Sequence, residues 1–255
     1  MANYVLGKGK VYIDELDSNG AKTGEFHFGN CPGLEVSVES ESLEHYSSTG
    51  GIREKDEEVT TQVTRSGTIT VDDISAKNLA LFIVGDISTI SQTTTPVTNE
   101  AITVKKGLTY QLGTTSGNPA GVRGVGSVVV TDVAGTTTYV ANTDYTVDTT
   151  LGRITILSGG AIAPSTTQVI HVDYTPVAQS REQIATGALG SKTVALRYIA
   201  DNPKGTNRDL YSPKVTLRPS GSLPFIGDEW LSMQFELEFL STATTAAIYI
   251  DGRPV

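Results

Sequence analysis

Apolar and polar residues alternate along most of this chain with a period of two, the spacing of a half-buried β-strand. Over about Gly9–Glu15, Val11 and Ile13 face one way and Tyr12 and Asp14 the other. The turn Asp17-Ser18-Asn19-Gly20 has hairpin chemistry, and Glu25–Phe28 is expected to return alongside. Leu34, Val36 and Val38 then share one face of a strand whose other face carries Glu35, Ser37, Glu39 and Glu41, and Gly67–Asp72 is expected to pair with it. Near the end of the chain come strands over Thr193–Ala200, Ser212–Arg218 and Ala247–Ile250. The longest alternating run is Trp230–Leu240, with Leu231, Met233, Phe235, Leu237 and Phe239 set against Gln234, Glu236 and Glu238.

Two segments break the alternation. Residues 41–62 hold few large apolar side chains (Leu43, Tyr46, Ile52, Val59), Gly50-Gly51 sits in their middle, and the charged run Arg53–Glu58 follows. This reads as a long polar loop held out as an arm, a length that is uncommon inside a compact domain unless it is functional or disordered. The second segment is helical. Ser75 is a good N-cap, Asp72 and Asp73 favour the positive end of the dipole, Ala76, Leu79, Ala80 and Ile83 recur at helical spacing, and Gly85 is a natural stop. A helix of about ten residues follows from these signals.

Between residues 92 and 179 the character changes to short strands separated by turns: Ala101–Val104, Thr109–Leu112, Ser127–Thr131, Thr138–Ala141, Tyr145–Val147, Arg153–Ile156 and Val169–Tyr174. This predicts a small Ig-like β-sandwich inserted into a first domain made of residues 1–91 and 180–255. The fold class is therefore mainly β: a β-sandwich or barrel with one flanking α-helix, plus an inserted β-sandwich.

Composition narrows the function. The 255 residues are 38% hydrophobic and 18% charged, which suits packed cores rather than disorder. A formal charge of −9 argues against broad nucleic-acid or anionic-membrane binding. The single cysteine, Cys31, cannot form an intrachain disulfide and reads as a small apolar residue. The opening Met-Ala-Asn-Tyr-Val-Leu-Gly-Lys has neither a basic n-region nor a long apolar one, and the longest apolar stretch, Leu79–Val84, is far too short to span a bilayer. Assembly in a cytoplasm is the expectation, with no membrane insertion.

Candidate chemistry is sparse. His27 and Cys31 lack the further ligands that structural zinc requires. No serine sits in a Gly-x-Ser-x-Gly elbow. Gly187–Thr193 fails the spacing of a phosphate loop and Gly121–Gly126 that of a dinucleotide loop. Asp144 and Asp148, flanking Tyr145, read as turn aspartates rather than calcium ligands. No catalytic residues, metal or cofactor are expected. The alternating acids Glu35, Glu39, Glu41, Asp72, Glu236 and Glu238 are the most informative side chains, against the plainer reading of a solvated sheet face.

An N-terminal strand, the arm with Glu44-His45-Tyr46-Ser47-Ser48 and Gly50-Gly51, the helix Ile74-Ser75-Ala76-Lys77-Asn78-Leu79-Ala80-Leu81-Phe82 and a late alternating strand, in that order, resemble the major tail (tail tube) protein of long-tailed bacteriophages. The insert, with Thr143–Asp148 followed by Gly152-Arg153-Ile154-Thr155-Ile156, resembles outward-facing domains of phage virion proteins. The resemblance implies a virion protein that polymerises as stacked hexameric rings into a hollow tube through which DNA passes without specific binding. Its partners are then further copies of itself, a tail terminator, a tape measure and distal tail or tip proteins. The arm residues Leu43, Glu44, His45, Tyr46, Gly50, Gly51, Ile52, Arg53, Glu57 and Glu58 would reach a neighbouring ring, and the alternating acids would line the lumen. The competing expectation is a carbohydrate-binding or other surface β-sandwich module.

Overall fold

A computed structural model of the protein describes residues 4–162, 167–187 and 190–253. Strand accounts for 55% of it and helix for 3%, so the chain is mainly β, built of antiparallel sheets with one short helix. It divides into two compact units, Met1–Ile87 with Ile184–Val255, and Ser88–Gln183.

The first unit is an eight-stranded antiparallel sheet. Its strands are β1 (Gly9–Glu15), β2 (Phe26–His27), β3 (Gly33–Ser47), β4 (Glu54–Val71), β13 (Lys192–Ala200), β14 (Arg208–Ser220), β15 (Met233–Phe239) and β16 (Tyr249–Gly252). They run in the order β2-β1-β13-β14-β15-β4-β3, and β14 forks: Arg208–Tyr211 pair with β16, and Val215–Ser220 with β15. One face gathers Val11, Ile13, Ile69, Val71, Val194, Leu196, Val215, Leu217, Met233, Phe235, Leu237 and Phe239 into a buried core. Phe235 sits at its centre, 5.6 Å from the Phe28 ring and 5.7 Å from that of Phe82.

Helix α1 (Ala76–Phe82) lays Leu81 into this core, with Leu79 and Phe82 packed beside it. Ser75 caps it as expected, its Oγ accepting from the Asn78 N–H. The helix is shorter than its pattern suggests and ends differently. The left-handed residue beyond its C-cap is Val84 (φ 49°), not Gly85. Gly85 is already the first residue of the next strand, where a Cβ would meet the Ala185 carbonyl oxygen at 2.3 Å. A close backbone approach therefore claims that glycine, and the buried Val84 carries the unfavourable dihedral instead. Asn78 is buried and donates to the carbonyl oxygens of Phe28 and Asp73, both at 2.9 Å.

Strands β5 (Gly85–Gln92) and β12 (Gln179–Thr186) pair as a two-stranded sheet through which the chain leaves and re-enters the first unit. The second unit stacks two three-stranded sheets on one core. Its strands are β6 (Val97–Val104), β7 (Thr109–Gln111), β8 (Val125–Asp132), β9 (Tyr145–Asp148), β10 (Arg153–Ile156) and β11 (Gln168–Pro176), ordered β7-β10-β9 and β6-β11-β8. Val104, Leu112, Val130, Ile154, Ile156, Ile170 and Val172 are buried between them. Thr138–Ala141, expected as a strand, makes only isolated bridges. Tyr139 is buried there, which accounts for the apparent pattern.

Candidate functional site

The segment expected as a polar loop is a β-hairpin. β3 and β4 stay paired from Gly33↔Thr70 out to Ser47↔Glu54, and only Ser48–Arg53 form the loop at the tip. The sequence signal fails here because the hairpin buries no apolar face, so no alternation of hydrophobic residues marks it. Cross-strand pairing and β-forming residues such as Val59-Thr60-Thr61-Gln62-Val63-Thr64 hold it instead. Two register shifts, between Glu41 and Ser42 and between His45 and Tyr46, leave Thr61 and Asp56 unpaired and shift the alternation of β4. Strand β15 supports β4 only from Ser66 to Val71. Residues 54–65 with their β3 partners therefore extend past it, an overhang of roughly 40 Å at ~3.3 Å per residue.

The overhang is pinned by polar contacts. Lys55 Nζ donates to Glu44 Oε1 and to Glu58 Oε2, both at 2.7 Å. Tyr46 donates to Glu44 Oε2 at 2.6 Å, and Ser42 to Glu58 Oε1 at 2.7 Å. The hydrogen bonds from Lys55 hold both carboxyls below their usual range, and those two carboxylates raise the lysine. His45 Nδ1 lies 2.5 Å from Asp56 Oδ1, and the Arg53 guanidinium lies over the Tyr46 ring at 5.3 Å. Leu43 stands opposite Val59 and His45 opposite Glu57, with both apolar side chains exposed. Gly50 and Gly51 adopt no left-handed dihedral, and Ile52 is 80% exposed. The arm residues are thus brought together on one projection, Leu43 to Tyr46 with Glu57 and Glu58 as strand and Gly50 to Arg53 in the loop at its tip.

The alternating acids are only partly assembled. Glu35 and Glu236 both stand opposite Thr68, and Glu238 stands opposite Ser66. These three acids line a shallow depression of ≈470 Å³ with Ser37, Thr64 and Arg218, on the sheet face away from the core. Arg218 Nη2 lies 3.3 Å from Glu238 Oε2, and Ser220 donates to Glu236 Oε1 at 3.1 Å. Glu39 (opposite Thr64) and Glu41 (opposite Gln62) continue the row onto the hairpin. Asp72 lies past the end of β4, accepting from Asn30 Nδ2 at 2.7 Å, and does not join them.

The same face carries a row that sequence reasoning misses. His27, Tyr12, Arg197, Tyr211 and Tyr249 are successive cross-strand neighbours over β2, β1, β13, β14 and β16. Arg197 lies 4.5 Å from the Tyr211 ring centroid and 2.8 Å from Glu25, and Lys22 contacts the Tyr211 hydroxyl. The face is therefore acidic over β3, β4 and β15 and aromatic-cationic over the rest. Five segments far apart in sequence contribute to the row, so only the strand pairing reveals it.

The remaining candidates have structural roles. Asp144 accepts backbone N–H groups from Val140 (2.8 Å) and Ala161 (2.7 Å), and Asp148 accepts from Leu151 at 2.8 Å. Lys192 opens β13 and pairs with Asp86 at 3.0 Å, while Ala188 and Leu189 of the Gly187–Thr193 stretch lie outside the described residues. Cys31 is half-buried against the core, and burial together with Asp72 and Asp73 pushes its thiol up to about 12. Among the described residues, no three His, Cys, Asp or Glu side chains are grouped to hold a metal, and no helix is long and apolar enough to cross a membrane.

A family model described as Protein of unknown function UCP028589 matches residues 4–248. No curated protein matches the chain.

Proposed function

We propose a tube-forming structural role for this chain, which belongs to the family described as Protein of unknown function UCP028589. In this reading it is the tail tube protein of a long-tailed bacteriophage, polymerising as stacked hexameric rings around a channel for DNA. The observation that carries the proposal is the overhang of β3 and β4. A two-stranded hairpin in water is marginally stable by itself. This one holds ten cross-strand pairs, exposes Leu43, Val59 and Ile52, and among the described residues has no third strand beyond Ser66. Such a projection gains its missing layer from a second molecule. An extended edge also favours assembly: β3 is the last strand of its sheet, with one row of backbone groups unpaired, and a neighbouring subunit's strand can use them.

The acids fit the same reading. Duplex DNA carries a charge every ~1.7 Å of axis, so the part of a wall that presents Glu35, Glu236 and Glu238 repels it weakly and lets it slide. Ring mates, terminator, tape measure and tip proteins are the partners in this reading, with the virion as its place of action and the host cytoplasm as the site of assembly. Negative-stain electron microscopy over a concentration series tests it. Hollow rings or tubes are the expected result, and uniform small particles at every concentration would overturn it.

A further inference from the structure

The tube reading leaves open what the hairpin tip touches, and the first unit offers one complementary surface. We propose that Ile52 and Arg53 at the tip of one copy dock on the loop Phe225–Trp230 of the next copy, giving a head-to-tail repeat. This inference rests on the tube reading and names the partner surface within it.

Position comes first. β14 ends at Ser220, opposite Gln234, and β15 begins at Met233, opposite Val71. The loop joining them therefore lies at the end of the sheet where β3 starts, while the hairpin tip lies at the other end of the same strands. Surfaces at opposite ends of one strand axis cannot meet within a molecule. They meet between copies related by translation along that axis, the heterologous contact that propagates instead of closing.

The chemistry of the two ends is complementary. Leu223 packs on the core and anchors the base of the loop, yet Phe225 is 78%, Ile226 96% and Trp230 97% exposed. Three large apolar side chains held in water on one short loop mark a contact surface, and tryptophan is the residue type most enriched among binding hot spots. Asp228 and Glu229 lie between them, with no ion-pair partner among the described residues. The tip Ser48–Arg53 offers the converse: exposed Ile52, a backbone thinned by Gly50 and Gly51, and one charge, Arg53, which also lacks a carboxylate partner. Another exposed apolar cluster, Tyr4-Val5-Leu6, is flanked by Lys8 and Lys10 and bridged to Lys204, so it repels Arg53. Charge on Arg53 thus favours the 225–230 loop over that cluster.

The test uses the full chain with Cys31→Ser, carrying Ile52→Cys and Ile226→Cys together or singly. Both positions are exposed, so folding is preserved, and far-ultraviolet circular dichroism checks this. On mild oxidation the double variant is expected to give a ladder of covalent multimers, and the single variants nothing beyond dimers. Arg53→Asp is expected to raise the concentration needed for assembly about tenfold or more, and Asp228→Arg with Glu229→Arg to restore it. Tubes that form normally, with no ladder and no effect of Arg53→Asp, would overturn this docking and leave the tube reading standing. A chain that never assembles would overturn both.

Discussion

Glu44 and Glu58 stand directly opposite each other on the projecting hairpin, and Lys55 bridges them with a 2.7 Å bond to each. Like charges facing across an antiparallel pair are destabilising, and here one cation converts the clash into a three-residue clamp. The clamp lies past the last β15 pair, where no core holds the strands together. Replacing its centre is therefore expected to have a local effect. Lys55→Met should splay the outer hairpin, seen as loss of nuclear Overhauser contacts between the two strands, with the thermal transition of the core unchanged.

The same clamp sets a pH dependence. Lys55 holds the Glu44 and Glu58 carboxyls below their ordinary 4.5, so folding favours their charged forms. Their contribution is complete above the unfolded value and is lost as pH falls through the lowered folded values. Lys55 is raised, so its contribution is complete below its ordinary 10.5 and is lost only as pH rises past its raised value. Cross-strand contacts in the outer hairpin should persist from pH 6 to 9 and fade in acid, and more readily in high salt because the groups are exposed. Hairpin contacts that survive unchanged at pH 2.5 would contradict this.

Excising the overhang separates folding from assembly. Replacing residues 42–61 with an Asn-Gly turn joins Glu41 to Gln62, which are already paired, so a two-residue hairpin closes without a register shift. Every residue removed is exposed or nearly so, and none belongs to the core. The shortened chain is expected to melt within a few degrees of the intact one and to form no tubes. Tubes of normal length by electron microscopy would show that the overhang is dispensable.

Elements held by burial were legible in the sequence, and those held by pairing were not. Val11 and Ile13, or Met233 to Phe239, alternate because one face enters the core, and their strands fall where the pattern places them. The run from Trp230 overstates the start of its strand by three residues, because β14 stops supplying partners at Ser220. The hairpin carries no strand signal in the sequence because its outer half buries nothing and its two bulges disturb the alternation of β4. Glu35, Glu236 and Glu238 could be placed on one face from alternation alone. Their convergence, and the exclusion of Asp72, depend on the strand order β15-β4-β3, which no local pattern encodes.

Phe235 offers a test of how the first unit is held. It is fully buried, opposite Ile69 and Pro219, with the Phe28 and Phe82 rings against it, and so joins β15, β4 and α1. Phe235→Ala should cost about 3–5 kcal/mol, from lost transfer energy and the cavity left behind. Chemical denaturation followed by far-ultraviolet circular dichroism is expected to show the transition moving to lower denaturant, by that free energy divided by the denaturant slope.

The acidic depression carries the prediction closest to the proposed function. Glu35 and Glu236 flank Thr68 from the two neighbouring strands, so at ~4.8 Å per strand their backbones are roughly 10 Å apart, with Glu238 beside them and Arg218 the one cation in the depression. Each is on the solvent face, so Glu35→Lys with Glu236→Lys should leave the core and the hairpin intact and reverse the local charge. Repeated around a ring, the change would line the channel with cations. Tubes of the variant are expected to retain duplex DNA at low salt and to release it as salt rises, because phosphate contacts exchange against counterions. Tubes of the unaltered chain are expected to retain none. A filter-binding or co-sedimentation assay on assembled tubes reads the difference directly. If the variant tubes form and bind no more DNA than the parent, this sheet face does not line the channel, and the aromatic-cationic row through Tyr12, Arg197 and Tyr211, which shares the face, is excluded from it as well.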